Sequence, residues 1–472
     1  MHPIPSSGNG LRPVVDHYPS NNLPLTTRSS AEQIIFWTAV LTPVWWLLGI
    51  QVLLYPLLLV GLLATSLRLD KLLRAPLPTC AWAWFLMACV MFITGAIGLS
   101  DVGISVSNVA AQTVTFLKSY FLIFACLSLP CWIGLRVQTI TRAVAWMAAG
   151  YLLSIAAVLV LLFLGIKGYT PLLAALIPGD RLSLRVSFAD IQSFFGIPLP
   201  RTALYTADPP ILGACAVCSM LICLGEKNRS LRRLALAGSG LALLLSFSRS
   251  AWVCLPLALL VMAAFRSNLS RQILLWGTAA IAGLSSWFRL TPAELVQQPL
   301  TIFTKARAAS SGDRELVVRK TLEAWQESPW MGWGIIRGSV RWYTYDIKLG
   351  SFSTYASVLY LHGVVGFIVF LGALLSTLGA FYTPALRGNA MAARAFASLV
   401  ALYLLCAATP LSWMAASLWF YFIWLGSALA ELQQSRVSSS WQELAFQSGS
   451  PRSHGHNKSL SGEATGEDRI FT

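Results

Sequence analysis

The fold class this sequence predicts is an all-α, polytopic membrane protein with about 12 transmembrane helices and a large, partly helical outer loop. Three observations predict it. The chain has 472 residues, of which 56% are hydrophobic and only 11% charged, where a soluble domain carries roughly 25% charged residues. Mean hydropathy is +0.65. The apolar residues also fall into runs close to the about 20 residues that a membrane helix needs, whereas polar residues gather in a few stretches.

The first 33 residues are polar and rich in Pro, Ser and Asn, without the basic-then-apolar opening of a cleavable signal. Twelve apolar runs come next, at about 34–48, 50–67, 80–98, 108–132, 143–166, 207–225, 234–248, 250–265, 272–289, 353–380, 391–409 and 412–430. Pro43 and Pro56 would kink the first pair without preventing a crossing. Residues 433–472 form a Ser-rich tail that lacks the hydrophobicity to fold. The expected organisation is therefore a cytoplasmic disordered tail at 1–33, a transmembrane domain at 34–432 and a second cytoplasmic disordered tail at 433–472.

Loop charge sets the orientation. The short loops on one side hold Arg68, Lys71, Arg74, Arg136, Arg142, Lys227, Arg229, Arg232, Arg233, Arg266, Arg271, Arg387 and Arg394, against Arg249 alone on the other. Basic loops stay cytoplasmic, so both tails face inward and the long loops 167–206 and 290–352 face outward. Topology accounts for the net charge of +15; no basic block is interleaved with aromatics as nucleic-acid binding would require. The nine cysteines lie within or beside apolar runs and read as small packing residues. Cys215 and Cys218 share a helix face but have no further ligands nearby, so neither a disulfide framework nor a metal site is expected.

Two charges stand out. Arg249, in Leu245-Ser-Phe-Ser-Arg-Ser-Ala-Trp252, sits in a tight turn at the outer face. It reads either as a snorkelling helix-end arginine or as an anion site, because a guanidinium fork matches phosphate oxygens. Lys118, about ten residues into the fourth run, is a functional candidate by position or another snorkelling side chain. In the first long loop Arg181 and Arg185 would share a face of an interfacial surface helix, and Asp208-Pro-Pro210 leads into the sixth span.

The second long loop is the functional candidate. Asp313 is placed to cap a helix running to about Glu327, with Leu316, Val317, Thr321, Ala324 and Trp325 as its apolar stripe and Pro329 as its stop. Arg314 would then lie in the first turn, where the helix end already favours anions. Gly332 and Gly334 flank Trp333 and permit a sharp turn or close backbone approach. From 290 to 350 the loop carries Lys305, Arg307, Arg314, Arg319, Lys320, Arg337, Arg341 and Lys348, with Trp325, Trp330, Trp333, Trp342, Tyr343 and Tyr345. Aromatic faces suit sugar rings and arginines suit a diphosphate, although an interfacial aromatic belt explains some of the tryptophans.

In order, Ser246-Phe-Ser-Arg-Ser250 at a hairpin end, Arg314 in a loop helix, Pro329-Trp-Met-Gly-Trp-Gly334, and Gly350-Ser-Phe-Ser-Thr-Tyr355 followed by Leu359-Tyr360 and Gly363-Val-Val-Gly366 form a pattern. It resembles the O-antigen ligase and O-antigen polymerase superfamily of bacterial inner-membrane proteins, over roughly residues 200–370. The resemblance implies glycosyl transfer at the periplasmic face, from undecaprenyl-diphosphate-linked glycan to an acceptor hydroxyl, without a metal or other cofactor. It implies a multi-pass protein in the bacterial inner membrane, with lipid as its surroundings and a flippase and a chain-length regulator as candidate partners. Arg249 and Arg314 match the family arginines that hold the diphosphate and are the candidate catalytic residues. Arg201, Asp208, Arg319, Trp333 and Tyr355 are the candidate substrate-binding residues.

One position departs from the pattern. Ligases carry a histidine eleven residues before the glycine matching Gly363, where this chain has Phe352. His362 lies ten residues further on, about 15 Å along a helix, too deep to replace it. A base would have to be Asp208, Asp313 or Asp346, or be dispensable. The expected activity is thus a polymerase-like glycosyltransferase in O-antigen, capsule or exopolysaccharide biosynthesis, with O-antigen ligase as the alternative. A flippase or transporter, and a non-catalytic relative, are the competing classes; transporters more often place charges and broken helices near the bilayer midplane.

Overall fold

The structure, a computed structural model, describes residues 29–66, 77–171, 185–194, 196–287, 308–342 and 345–447. Most of both tails, Arg68, Lys71, Arg74, Arg181, Lys305, Arg307 and Tyr343 lie outside the described residues. The chain divides into two compact units, residues 1–431 and 432–472. The second is described only to Gln447, as helix; the helix bundle and its loops belong to the first.

Helices α1 (Ser30–Val40) and α2 (Thr42–Leu48) meet at a 63° bend. Pro43, at the start of α2, lacks the N–H that would continue α1. After α3 (Gln51–Ser66) and α4 (Thr79–Val102), α5 (Val106–Lys118) and α6 (Tyr120–Ile133) share one apolar stretch interrupted at Ser119. Lys118 is thus the last residue before a helix break. Next come α7 (Val137–Phe163), α8 (Pro209–Cys223), α9 (Arg229–Ser246), α10 (Arg249–Arg266) and α11 (Asn268–Trp287). The second long loop holds α12 (Ala308–Trp325), and α13 (Thr354–Leu386), α14 (Ala390–Leu405), α15 (Leu411–Met414) and α16 (Trp419–Gln447) complete the order.

Among the described residues, five stretches are long and apolar enough to cross a membrane: α4, Val106–Ile133, α7, α10 and α13. The bent pair α1–α2 makes a sixth if it is one span. Helix lies at each of the twelve expected positions, but these criteria do not establish about twelve crossings. For the apolar helices α3, α8 and α14 the shortfall is one of length: α8 has 15 residues, about 22 Å of helix against a hydrocarbon core of about 30 Å. Short helices of this kind need neighbours to cover their ends, and α8 is buried along nearly its whole length. Cys215 and Cys218 lie within that packing as free, buried thiols.

The fold is predominantly but not wholly α. Among the described residues, three two-stranded antiparallel sheets decorate the loops: β1 (Gly168–Tyr169) with β2 (Val186–Ser187), β3 (Ala189–Phe194) with β4 (Ile197–Thr202), and β5 (Ser339–Trp342) with β6 (Tyr345–Lys348). The surface helix expected to carry Arg181 and Arg185 lies outside the described residues except at Arg185, which leads directly into β2. Val186, Phe188, Ala189 and Phe194 are buried while the residues between Ala189 and Phe194 are exposed or half-buried, as suits a ribbon with one face on the protein.

Helices approach closely where side chains are small. A Cβ on Gly238 of α9 would lie 2.1 Å from the Ala148 carbonyl oxygen of α7. Helices α4 and α13 pack together and are joined by Trp84 Nε1 donating to Thr377 Oγ1 at 2.8 Å. At the end expected to face the cytoplasm, ion pairs join elements distant in sequence. Arg136 contacts Glu32 at 2.7 Å, Arg142 contacts Glu226 at 3.3 Å, and the Val137 amide donates to Glu431 at 2.9 Å.

Candidate functional site

At the opposite end of the bundle, the chain reverses between α9 and α10 at Phe247 and Ser248. Phe247 takes a left-handed conformation, φ 48°, and its ring packs on Phe194 of β3 and Trp252 of α10, with centroids 5.0 and 6.0 Å apart. Ser246 Oγ accepts from the Ser248 amide at 3.2 Å, and Trp252 Nε1 donates to the Leu243 carbonyl at 2.8 Å. The turn therefore delivers Arg249 as the first residue of α10, as the hairpin motif predicts.

Arg201 reaches the same turn from β4. Its Nε donates to the Ser246 carbonyl at 3.0 Å and its Nη1 to Gln192 Oε1 at 2.9 Å. A cation on a helix-terminal carbonyl satisfies an orphan acceptor and suits the negative end of the helix dipole. Asp208 is the N-cap residue of α8, without a side-chain capping bond. Helix α8 crosses α10 at Gly213, where a Cβ would meet Ser248 Cβ at 2.6 Å. Asp208 thus stands about 8 Å along the helix from that crossing, at the same end as Arg249.

The second arginine comes from α12. This helix starts at Ala308, five residues before Asp313, which corrects the expected cap: Asp313 is an interior residue and Arg314 is not in the first turn. The upstream Ala308-Ala-Ser-Ser sequence extends the helix because alanine pays no side-chain entropy. The anion-favouring helix end consequently lies elsewhere, and Arg314 acts through its own charge. Its guanidinium carbon lies 5.0 Å from the centre of the Phe352 ring, a cation–π distance. Val317 and Thr321 of the expected stripe are buried, while Leu316 is exposed. Thr321 Oγ1 accepts from the Gly350 amide at 2.9 Å, holding the segment before α13 along α12.

Both arginines lie at one end of the bundle. Helix α10 runs antiparallel to α14: Phe265, near the end of α10, meets Phe396, in the first half of α14, edge to face with centroids 5.1 Å apart. Arg249 is therefore level with the end of α14, where the Cys406 carbonyl accepts from the Thr354 amide at 2.8 Å. Thr354 lies two residues beyond Phe352.

Between α12 and α13 the chain re-enters the bundle. Gly363 breaks α13 with φ 63°, ψ −166°, and the backbone of 329–334 fills the break. The Val364 and Val365 amides donate to the carbonyls of Pro329 and Trp330, at 2.8 and 3.2 Å. In return, the Trp333 and Gly334 amides donate to Tyr360 and Leu361, at 2.9 and 2.7 Å. Gly332 and Gly334 have positive φ and meet the neighbouring backbone directly, the close approach that the sequence suggests. His362 sits in the break, buried, with Nδ1 2.5 Å from Thr94 Oγ1 of α4.

The remaining candidates point elsewhere. Trp333 Nε1 donates to the Ala324 carbonyl at 2.8 Å, and Arg337 covers its ring at 4.7 Å. The Tyr355 hydroxyl donates to the Tyr403 carbonyl at 2.7 Å, toward α14. Arg319 lies five residues past Arg314, roughly 140° further round the helix; it is exposed and 3.8 Å from Glu323. Lys320 is closer to Glu323, at 2.7 Å, and that contact holds the Glu323 carboxyl below its ordinary range. Arg337, one of the loop's basic residues, anchors the loop to the end of α4 through the Gly98 carbonyl at 3.1 Å and Asp101 Oδ2 at 2.9 Å. Nothing in the local sequence signals that pairing.

Residues 234–371, which hold the Arg249 turn, α12, Phe352 and the broken helix, match the family model described as O-antigen ligase. No curated protein is matched by the chain.

Proposed function

From membership in the O-antigen ligase and polymerase superfamily, which the match over 234–371 supports, we propose that the chain is a membrane glycosyltransferase. It takes glycan from undecaprenyl diphosphate at the outer face of the bacterial inner membrane, with both termini cytoplasmic. The observation that carries this reading is that Arg249 and Arg314 lie at the same end of the bundle, the end that holds the loop sheets. Arg201 stiffens the Arg249 turn, and Phe352 lies against Arg314.

In the reaction, the acceptor hydroxyl oxygen attacks the anomeric carbon of the donor sugar. The bond from that carbon to the diphosphate oxygen breaks, and the lipid diphosphate leaves with the electron pair. Negative charge grows on the leaving oxygens, where Arg249 and Arg314 stabilise it more in the transition state than in the ground state. Neither arginine needs to gain or lose a proton. Phe352 supplies a cation–π face that restrains Arg314.

The polymerase form of the reaction is favoured by Phe352, which replaces the histidine of ligases with a side chain that cannot take a proton. The ligase form is favoured by the description of the matching family. Product analysis separates them: loss of the chain collapses a glycan ladder to single repeats for a polymerase, and strands full-length glycan on the lipid carrier for a ligase. Arg249→Ala and Arg314→Ala are each expected to lower product formation by about 100-fold or more, with membrane insertion unchanged. Wild-type product from both variants would overturn the diphosphate site.

A further inference from the structure

We infer that Asp313 is the proton acceptor for the attacking hydroxyl, an inference that rests on the transferase reading above. Asp313 Oδ2 is covered by protein and takes no hydrogen bond among the described residues. A buried oxygen left without a donor costs about 1–3 kcal/mol, and native structures keep few of them. Its position gives the reason. Asp313, Val317 and Thr321 follow at intervals of four, so they share one face of α12, and the last two are buried.

That face meets the segment 350–352. Thr321 holds the Gly350 amide at 2.9 Å, and Arg314, two turns back, covers the Phe352 ring. The segment therefore runs along α12 from the level of Thr321 to that of Arg314. Asp313 sits at this second level, on the side facing the segment, beside the arginine assigned to the diphosphate. The other two carboxylates serve less well. Asp346 is exposed on β6, and Asp208 is the N-cap of α8, on a different element from Arg314 and not on the face of α12 that meets the 350–352 segment.

In the step, the proton leaves the acceptor oxygen for the half-buried Asp313 carboxylate as that oxygen bonds to the anomeric carbon. The electron pair of the broken bond leaves on the diphosphate, and protonated Asp313 returns its proton to water after product departs. A positioned general base contributes about 10²–10⁴-fold.

The test uses membranes containing the full-length chain and a polyprenyl-diphosphate-linked repeat as donor. Asp313→Asn is expected to lower the rate by at least about 100-fold, with normal protein level and detergent melting temperature. Asp313→Glu should keep part of the rate. Adding Phe352→His to Asp313→Asn should restore at least tenfold, with an acid limb in the pH–rate profile near about 6.5 as imidazole takes over. A wild-type rate and unaltered pH profile for Asp313→Asn, with Arg249→Ala and Arg314→Ala inactive, would overturn the inference and leave the transferase reading intact. Loss in Asp313→Asn without recovery in Asp313→Glu or the double variant would overturn it equally, by assigning Asp313 to structure. Wild-type product from both arginine variants would instead remove the transferase reading itself.

Discussion

Phe247 holds a φ of 48°, a conformation that costs a non-glycine residue roughly 1–2 kcal/mol, and its neighbours show what offsets the cost. Its ring is clasped by Phe194 and Trp252, and the carbonyl just before it receives the Arg201 guanidinium. A hydrogen bond from a charged donor is worth about 1.5–3 kcal/mol when desolvated; Arg201 is half-buried, so the lower part of that range applies. Arg201→Ala is therefore expected to raise amide hydrogen exchange in the 247–249 turn by about tenfold, and to slow the reaction by loosening Arg249. Unchanged exchange there would show that the aromatic cluster alone holds the turn. The sequence marks both Arg201 and the Ser246–Ser250 motif, but 45 residues separate the partners. No local pattern encodes that pairing; it arises when the β3–β4 ribbon folds over the hairpin.

Helix α13 shows the same limit at the scale of an element. Its apolar run is legible as a crossing, and Gly332 and Gly334 are legible as places of close approach. The break at Gly363 is not, because a glycine inside an apolar run also fits an unbroken helix. What breaks it is the incoming backbone of 329–334, which supplies acceptors that the helix no longer provides. A Cβ at Gly363 would lie 2.2 Å from the Trp330 carbonyl oxygen, and one at Gly332 would lie 2.4 Å from the Leu361 carbonyl carbon. Gly363→Ala and Gly332→Ala should each destabilise by about 2–4 kcal/mol, summing positive-φ strain and overpacking, and lower the melting temperature in detergent. Gly372→Ala and Gly379→Ala, on the same helix with nothing within 4 Å, should leave it unchanged or raise it slightly. Equal behaviour of the two pairs would deny that the loop is locked into the break. Asp313 illustrates the opposite error: its residue type suits a cap, but the alanines upstream make good helix, so the boundary moved and the aspartate was left inside.

Across the whole molecule, charge at the end expected to be cytoplasmic does more than set orientation. The asymmetry of basic residues is legible because it needs only counting. That Arg136 and Arg142 are bound to Glu32 and Glu226 is not, since the partners lie 104 and 84 residues away. The Glu226 side chain is wholly buried and also accepts from the Asn228 amide at 2.9 Å. Removing one partner of a buried pair costs about 3–5 kcal/mol, less here because Arg142 is 29% exposed. Glu226→Ala should then cost about 2 kcal/mol and visibly lower the detergent melting temperature, while Glu323→Ala, in an exposed pair, should not.

The interlock at Gly363 also fixes an order of assembly. The backbone of 329–334 bonds to 360–365 and abuts Thr94 and Gly98 of α4, so it can seat only once α4 and α13 are both present. Until then the Val364 and Val365 amides lack the Pro329 and Trp330 carbonyls, and the least costly state of α13 in lipid is an uninterrupted helix with its own backbone satisfied. Seating the loop and breaking the helix are therefore a single late event in biogenesis. That event also carries Trp333 and Arg337 into place, so the surface above the bundle matures only after the last parts of its support have been synthesised.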